Sequence, residues 1–371
     1  MVRSILQLTG VLGLIVLIFV AFPRAQNAPV LPVQNSTSEV VVLEVVPVQM
    51  AHEEPAPEVQ TPPVETQPAA AAQSQESGGN EARRIQNPYT SAAYTENEVD
   101  ALTRPALVNI YCESSRFGSV SGSGVIIDPR GVVLTNAHVA QYLLISSDER
   151  IALNCSIRTG SPAAERYTAN ILYFPASWVA DHAKDVITSR PTGTGENDYA
   201  LLVIRKSVDG TPLPSPFPYI PFDDREAIAF TRDSVLLAGY PAEFSSDGAT
   251  KTALYPVTVF TRIGRLLTFT GVNVDTVSLG RVFLAQSGSS GGAVVNLWGH
   301  LVGIISTTSD GATTAERDLH ALTLSYISRD LIEDTGHDLT GLLAQNVSAA
   351  AAEFTVNKAP ALAKQITSFL P

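Results

Sequence analysis

From about residue 108 to residue 305 the chain alternates short apolar segments with turn-forming residues. "LVNIYC", "GSGVIID", "YALLVI", "SVLLAGY" and "HLVGIIS" are each long enough for one strand, and clusters of Gly, Pro, Asn and Asp separate them. Regular short strands with turn signals are typical of all-β barrels and sandwiches. A span of roughly 200 residues suits two small barrels better than one. We therefore predict an all-β architecture made of two barrels.

A few further segments complete the predicted elements. In "YTENEVDALTRPALVNIYC", Thr95 stands three residues before Glu98, which is the spacing of a helix capping box. "SYISRDLIED" indicates a second short helix. We expect another strand in "VFLAQ", residues 282–286, and a strand-like but sticky piece of linker in "EVVVLEVVPVQM", residues 39–50.

The N-terminus indicates the compartment. Arg3 precedes an apolar run that continues to about Phe22, which is long enough to cross a bilayer. We expect residues 1–25 to be an uncleaved transmembrane anchor, because "VAFPRAQNA" has no clean small-x-small cleavage site. A cleaved signal peptide is the alternative, and it would give a secreted protein. Either interpretation places the rest of the chain outside the cytoplasm, in the periplasm or at the cell exterior.

Residues 26–90 are rich in Pro, Ala, Gln and Glu, and this stretch carries eight glutamates against two arginines. Such a composition buries too little apolar surface to offset the entropy of ordering, so we expect a disordered linker. The linker supplies half of the formal net charge of −12. No cluster of Lys and Arg stands out elsewhere, which argues against a nucleic-acid partner.

The chain has two cysteines, Cys112 and Cys155. Two are too few for a disulfide framework, yet they can form a single bridge in an oxidising compartment. Both fall in predicted strands of the first barrel. The sequence leaves a bridge and two buried thiols equally open.

Three residues carry the candidate chemistry. Of the six histidines, His138 alone follows an apolar strand and a Thr-Asn-Ala turn, in "GVVLTNAHVA". Asp198 immediately precedes the alternating strand of "NDYALLVI", where a half-buried carboxylate could orient a base. The turn "SGSSGGA" offers a serine nucleophile, which could be Ser287, Ser289 or Ser290, with backbone N–H groups that could face a developing oxyanion. A serine nucleophile needs such a base and such an orienting acid.

The ordered set "GSGVIID", "GVVLTNAHV", "NDYALLVI", "GSSGGAV" and "GHLVGIIS" resembles trypsin-like serine proteases, and most of all the bacterial HtrA (Deg) type. The resemblance covers about residues 104 to 335. It implies two six-stranded antiparallel β-barrels of the chymotrypsin-like kind with short flanking helices. It also implies hydrolysis of proteins or peptides through an acyl-enzyme, with no cofactor and no metal. We expect the protease domain over residues 91–340 and a C-terminal tail of unclear role over residues 341–371.

Carried over residue by residue, the resemblance makes His138 the general base, Asp198 the orienting acid and Ser290 the nucleophile. The amides of Gly288 and Ser290 would form the oxyanion hole. The positions implied to contact substrate are Leu284, Ser287, Ser306, Thr307 and Thr308.

The chain departs from the family pattern in four places. Ser289 stands where trypsin has an aspartate that pairs with a new N-terminus, so we do not expect activation by cleavage, although the Arg84–Ile85 bond resembles an activation site. Residues 174–195 form an extra segment, expected to be a surface loop, whose Asp181 and Asp185 are rival acids. Leu284 at the primary pocket implies small or medium apolar residues before the scissile bond. We do not expect a PDZ domain in the residues after Thr340, which are few for that fold, and this expectation leaves the family's trimer in doubt.

Two alternatives remain. Gly288, Ser290 and Gly292 also satisfy the nucleophile elbow of α/β-hydrolase esterases. In that fold a helix follows the nucleophile, whereas "AVVNL" here predicts a strand. A catalytically silent protease-like scaffold is the other alternative. An intact set of three residues and the glycine turn argue against it, because a silent copy has no chemical need for them.

Overall fold

The protein was analysed as a computed structural model that describes residues 88–114, 118–148, 150–188, 193–269, 271–308 and 316–370. The predicted anchor, the strand-like stretch at 39–50, the Arg84–Ile85 bond and all but the last three residues of the predicted linker lie outside these ranges. Among the helices of the described residues, none has the length and apolar character needed to span a bilayer.

Six antiparallel strands close into a first barrel, in the order β1-β2-β3-β6-β5-β4. Their bounds are β1 Leu107–Ser114, β2 Gly118–Asp128, β3 Val132–Thr135, β4 Asn154–Thr159, β5 Ala164–Tyr173 and β6 Ala200–Ser207. Strands β3 and β6 are buried almost throughout, which is why they appear in the sequence as continuous apolar runs rather than as alternating ones. The predicted first barrel is thus confirmed.

Seven strands form the second unit, in the order β8-β7-β11-β12-β13-β10-β9, so the expected six-stranded closed barrel is wrong in strand count. The bounds are β7 Ser234–Gly239, β8 Val257–Arg262, β9 Leu266–Leu267, β10 Thr276–Gly280, β11 Ala293–Asn296, β12 Leu301–Thr308 and β13 Leu319–Thr323. The sheet curls so far that Thr261 on edge strand β8 donates a hydrogen bond to the Leu279 carbonyl on β10. The short strand β9, which the apolar pattern did not single out, accounts for the extra member. We call this unit the second barrel.

"VFLAQ" is not a strand, contrary to our expectation. Residues 282–286 form turns that lead from β10 into the loop containing Ser290. Two of its apolar residues, Leu284 and Ala285, have no exposed surface and pack in the core of the second barrel, whereas Phe283 is 57% exposed. Burial of Leu284 and Ala285 in a loop, rather than strand pairing, therefore accounts for part of this apolar run.

Eight helices flank the two barrels in the described residues. Their bounds are α1 Glu96–Thr103, α2 Ala137–Ile145, α3 Ala176–His182, α4 Asp247–Thr252, α5 Leu324–Thr335, α6 Leu339–Leu343, α7 Val347–Asn357 and α8 Ala359–Thr367. The capping box that predicts α1 is present, since the Thr95 hydroxyl accepts from the Glu98 amide while the Glu98 carboxylate accepts from the Thr95 amide. The predicted helix at "SYISRDLIED" is α5.

The extra segment at residues 174–195 is partly helical, which corrects the expected surface loop. It contains α3 and a 3₁₀ turn, Ala183–Ile187, and the side chains of Trp178 and Val179 are buried. Helix α8, from the C-terminal tail, packs against both α3 and α2. The tail boundary predicted after residue 340 falls inside α6, and α7 lies on strands β5 and β6 of the first barrel.

The structure contains a disulfide between Cys112 and Cys155, the alternative that the sequence left open. The two cysteines are directly opposed on the antiparallel strands β1 and β4. The bridge therefore links two neighbouring strands of the first barrel. It closes a sequence separation of 43 residues.

Candidate active site

Strand pairing in the first barrel places His138 beside Asp198. Strands β3 and β6 are antiparallel, and Thr135 at the end of β3 is opposite Ala200 at the start of β6. His138 follows β3 by three residues and Asp198 precedes β6 by two, so both lie at the same end of the barrel. Asp198 is buried, with 4% of its surface exposed, rather than half-buried as expected.

Two hydrogen bonds join these residues. The His138 backbone N–H donates to Asp198 Oδ1 at 2.9 Å, and the ring nitrogen Nδ1 lies 2.8 Å from Asp198 Oδ2. A carboxylate facing Nδ1 favours the tautomer with its proton on that atom. Nε2 is then left unprotonated, which makes it a proton acceptor.

The electrostatics of the pair favour an ionised carboxylate. Burial disfavours the charged imidazolium, but the charge and hydrogen bond of Asp198 outweigh it and raise the pKa of His138 above its ordinary value of 6.5. For Asp198, burial opposes ionisation, whereas the His138 charge and the hydrogen bonds lower its pKa below 3.8. The arrangement therefore stabilises a protonated His138 whenever that residue accepts a proton.

Two further polar side chains hold Asp198, and sequence reasoning gave neither of them this role. Asn136 Nδ2 donates to the Asp198 backbone carbonyl at 2.7 Å. The Ser306 hydroxyl, from β12 of the second barrel, donates to Asp198 Oδ2 at 2.9 Å. The only signal for Asn136 was its place in the Thr-Asn-x-His turn. Ser306 had been assigned to substrate contact alone.

Ser290 lies in the turn before β11 and faces the same group of residues. Its hydroxyl donates to the Ser306 carbonyl at a long 3.4 Å. Ser306 thus contacts Ser290 through its backbone and Asp198 through its side chain. Within the described residues the Ser290 hydroxyl makes no hydrogen bond to His138. Rotation about one side-chain bond redirects a serine hydroxyl, and such hydrogen bonds are often long before substrate binds.

The turn around Ser290 depends on glycine at two positions. Gly288 has φ +91°, and a Cβ there would lie 2.7 Å from both the Ala242 nitrogen and the Tyr240 carbonyl oxygen. Gly291 has φ +82°, and a Cβ there would lie 2.2 Å from the Ser123 carbonyl oxygen. Only glycine accepts both the left-handed backbone and the close approach of another segment.

Two amides of this turn are available to a ligand. Within the described part of the chain, neither the Gly288 N–H nor the Ser290 N–H donates to a protein acceptor, whereas the amides of residues 289, 291 and 292 are bonded to main-chain carbonyls. An anionic oxygen can satisfy such unpaired main-chain donors. These are the two amides for which the resemblance implies an oxyanion hole.

Ser123, on β2 of the first barrel, forms hydrogen bonds to the turn of the second barrel that contains Ser290. Its backbone N–H donates to the Ser290 carbonyl at 2.8 Å. Its hydroxyl donates to the Gly288 carbonyl at 2.7 Å and accepts from the Tyr240 N–H at 2.8 Å. Ser123 is completely buried. Sequence reasoning used the "GSG" motif only as part of a resemblance and missed this contact.

The residues implied to contact substrate are not equally accessible. Ser287 is exposed. Leu284 is fully buried in the core of the second barrel, so its side chain is not available at the surface as the structure stands. Thr307 and Thr308 lie on β12 beyond its last pairing with β11, which is Ile304 opposite Ala293. Their side chains lie outside what the structure describes.

The carboxylate that is bonded to His138 belongs to Asp198 and not to a rival acid. Asp185 accepts from His182 Nδ1 at 2.8 Å, and Trp178 stacks on the His182 ring, so this pair belongs to the extra segment itself. The Ser289 side chain is buried, and its hydroxyl has no hydrogen-bond partner among the residues that the structure describes. Over the described residues, no group of three or more His, Cys, Asp or Glu side chains could hold a metal ion.

Comparison with known proteins identifies the domain. Residues 122–304, just under half of the chain, match the family model described as "Trypsin-like peptidase domain". The chain therefore contains a trypsin-like peptidase domain, which belongs to the serine endopeptidases. The two antiparallel barrels with short helices fit the chymotrypsin-like fold, and the parallel sheet of an α/β-hydrolase is not present in the described residues. A comparison with curated protein sequences gives no match.

Solved structures similar to this chain include an HtrA-type protease and a serine endoprotease. One is the HtrA-type protease AlgW with a tripeptide, at 19% sequence identity and a TM-score of 0.43, with 66% of this chain and 65% of that chain covered. Another is a serine endoprotease from Yersinia pestis, at 21% identity and a TM-score of 0.40, with 67% of this chain and 70% of that chain covered. The chain thus spans about two thirds of the length of these structures.

Proposed function

We propose that the protein hydrolyses peptide bonds with Ser290 as nucleophile, His138 as general base and Asp198 as the acid that orients His138. The observation that carries the proposal is the chain of contacts from His138 through Asp198 and Ser306 to Ser290, which joins the two barrels. These contacts support the proposal, because acyl transfer by a serine needs a nucleophile, a base and an acid that orients the base.

In the proposed reaction, Ser290 Oγ attacks the peptide carbonyl while His138 Nε2 takes the hydroxyl proton. The bond that forms is the Ser290 ester, and the bond that breaks is the peptide C–N bond after His138 returns the proton to the leaving amine. The Gly288 and Ser290 amides would donate to the tetrahedral oxyanion. Water then attacks the ester carbonyl while His138 Nε2 takes a proton from it. The ester C–O bond breaks as His138 returns this proton to Ser290 Oγ, which releases the carboxylic acid product and restores the hydroxyl.

We further propose that the substrate main chain pairs with the end of β12. Residues 306–308 extend past the end of β11, so an extended peptide could add there as a strand beside Ser290. The substrates would then be proteins or peptides in extended conformation.

Labelling with an alkyl fluorophosphonate tests the assignment of the nucleophile. We expect covalent label on the wild-type chain and on Ser289→Ala, and none on Ser290→Ala or His138→Ala. Ser289→Ala is the matched control because it removes the neighbouring hydroxyl, which is buried and has no hydrogen-bond partner within the described part of the chain. Label on Ser290→Ala would show that another residue is the nucleophile. An unlabelled wild type that is folded would favour the silent scaffold.

We also propose that the peptidase domain works outside the cytoplasm, tethered by residues 1–25. The Arg3-led apolar run supports this location, as does the Cys112–Cys155 disulfide, since such bridges persist in oxidising compartments. An added external protease should digest the domain in intact spheroplasts, and the domain should sediment with membranes. Digestion only after lysis would place the domain in the cytoplasm, and a soluble, N-terminally shortened product would indicate a cleaved signal peptide.

A further inference from the structure

The direction of the Gly288 N–H is fixed by a contact on the preceding residue. The Ser287 carbonyl and the Gly288 N–H belong to one trans peptide plane, so they point in opposite directions. The Ser287 carbonyl accepts from the Ala242 N–H at 2.8 Å. The Gly288 N–H must therefore point away from Ala242. Rotation of this one peptide would remove an oxyanion donor without moving any side chain.

Glu243, the residue after Ala242, contacts the backbone N–H of Ser287. The Ser287 N–H donates to Glu243 Oε2 at 3.1 Å. Both backbone polar groups of Ser287 are thus engaged by consecutive residues of the loop that follows β7. Gly288 itself offers little resistance to rotation, because glycine populates positive and negative φ about equally. The orientation of the peptide depends on these external contacts.

Arg317, just before β13, fixes the Glu243 carboxylate. Arg317 Nη1 lies 3.0 Å from Glu243 Oε1 and 2.7 Å from Oε2. The same nitrogen lies 3.4 Å from the Ala285 carbonyl, in the turn that leads to Ser290. The Arg317 and Glu243 side chains are only 15% and 23% exposed, so water screens this ion pair less than a fully exposed one. Three segments that are distant in sequence meet at this pair.

We propose that Glu243 is a positioning residue for the oxyanion hole, and that Arg317 holds it in place. This proposal rests on the proposed function, because it concerns the amides that would stabilise the tetrahedral intermediate. With Glu243 in place, the Ser287–Gly288 peptide keeps the Gly288 N–H toward the reacting carbonyl. Without it, the peptide samples other orientations. The loss falls on the chemical step rather than on binding, since neither Glu243 nor Arg317 belongs to the strand edge that would pair with a peptide.

The full-length wild-type chain and the variants Glu243→Ala, Arg317→Ala and Glu243→Gln test this proposal. The measurement is the concentration dependence of labelling by an alkyl fluorophosphonate, which yields a maximal labelling rate and an apparent binding constant. The phosphoryl oxygen of this probe occupies the position of the oxyanion. Glu113→Ala is the matched control, because it also removes a glutamate that forms an ion pair. Glu113 pairs at 2.8 Å with Lys251, which like Glu243 lies between β7 and β8, but this pair does not contact Ser287.

We expect Glu243→Ala and Arg317→Ala each to lower the maximal rate about 10- to 100-fold, somewhat less than the loss of a whole oxyanion donor. The apparent binding constant should change less than twofold. The double variant should be no slower than the slower single variant, because the two residues act as one unit. Glu243→Gln keeps an acceptor for the Ser287 N–H and should recover part of the rate. Glu113→Ala should label like wild type.

The results separate this proposal from the proposed function. A wild-type chain that takes no label overturns both. A wild type and a Glu243→Ala variant that label at the same rate overturn only the role of Glu243. Thermal melts identify a variant that has lost its fold, and the Glu243→Gln variant then decides. A maximal labelling rate between those of Glu243→Ala and wild type supports the proposal. A rate below wild type with an unchanged apparent binding constant also supports it. A Glu243→Gln rate equal to wild type, with Arg317→Ala also unchanged, contradicts it.

Discussion

The two barrels position their candidate residues by different means. In the first barrel, His138 and Asp198 follow directly from the pairing of β3 with β6, and buried hydrogen bonds hold them. In the second barrel, Ser290 lies in a turn between β10 and β11 that no strand pairing defines. That turn takes its shape from glycines and from contacts that reach it from other segments, Ser123 and Ala242 among them.

Because the two regions are held by different contacts, the proposed acid–base pair and the proposed oxyanion hole should respond differently to substitutions. The acid–base pair is built into secondary structure, so local substitutions away from it should leave it intact. The nucleophile turn depends on several loop contacts, each of which is weaker than a strand ladder. The largest losses should come from removing a reacting group, and graded losses should come from loosening the turn.

The largest expected effect lies in the first barrel. Asp198→Asn should lower turnover on the order of 10⁴-fold, because an amide no longer holds His138 in the tautomer that leaves Nε2 free. Steady-state hydrolysis of a peptide substrate measures this loss. Asp185→Asn, which removes the acid that pairs with His182, is the control and should stay within about twofold of wild type. A large loss in Asp185→Asn and none in Asp198→Asn would reverse the assignment.

The next effect probes the turn of the second barrel. Gly288→Ala places a Cβ 2.7 Å from main-chain atoms of residues 240 and 242 at φ +91°, so the turn must shift. We expect a loss of about 10² to 10³ in turnover, the cost of one oxyanion donor. Gly248→Ala is the control, since a Cβ there meets nothing within 4 Å. Full activity in Gly288→Ala would mean that the turn is not the oxyanion hole.

The pH dependence of activity should distinguish substitutions in the first barrel from those in the second. The pKa of His138 is raised above 6.5, and the base works only when neutral, so activity should fall as the pH drops through that raised pKa. The acid limb of the rate profile should therefore have its midpoint above 6.5. In Asp198→Asn the midpoint should move down, because burial remains while the neighbouring charge is gone. Glu243→Gln should leave the midpoint unchanged, since it acts in the second barrel.

The smallest effect on activity should come from the disulfide. Replacing both Cys112 and Cys155 by serine removes a cross-link that closes 43 residues of the first barrel. We expect the free energy of unfolding to fall by about 2 to 4 kcal/mol while turnover at 25 °C changes less than twofold. Chemical denaturation and peptide hydrolysis measure the two quantities. A steep loss of turnover with intact fold would show that the first barrel positions His138 less independently than strand pairing implies.

Much of the first barrel and of the site could be predicted from the sequence because the signals are local. The capping box at Thr95, the short apolar runs and the turns around His138 and Ser290 each depend on residues a few positions apart. Strand order then brings His138 and Asp198 to the same edge. For these residues the sequence determined the elements and the candidate chemistry.

Only the tertiary structure decided what connects the two barrels. The hydrogen bond from Ser123 to Gly288 spans 165 residues, and that from Ser306 to Asp198 spans 108. Whether "VFLAQ" pairs as a strand or is buried as a turn, and whether residues 174–195 fold as helix, depends on which surfaces cover these segments. Periodicity records the burial of a residue but not the partner that buries it. The contacts that hold the Ser287–Gly288 peptide therefore emerge only when the segments meet.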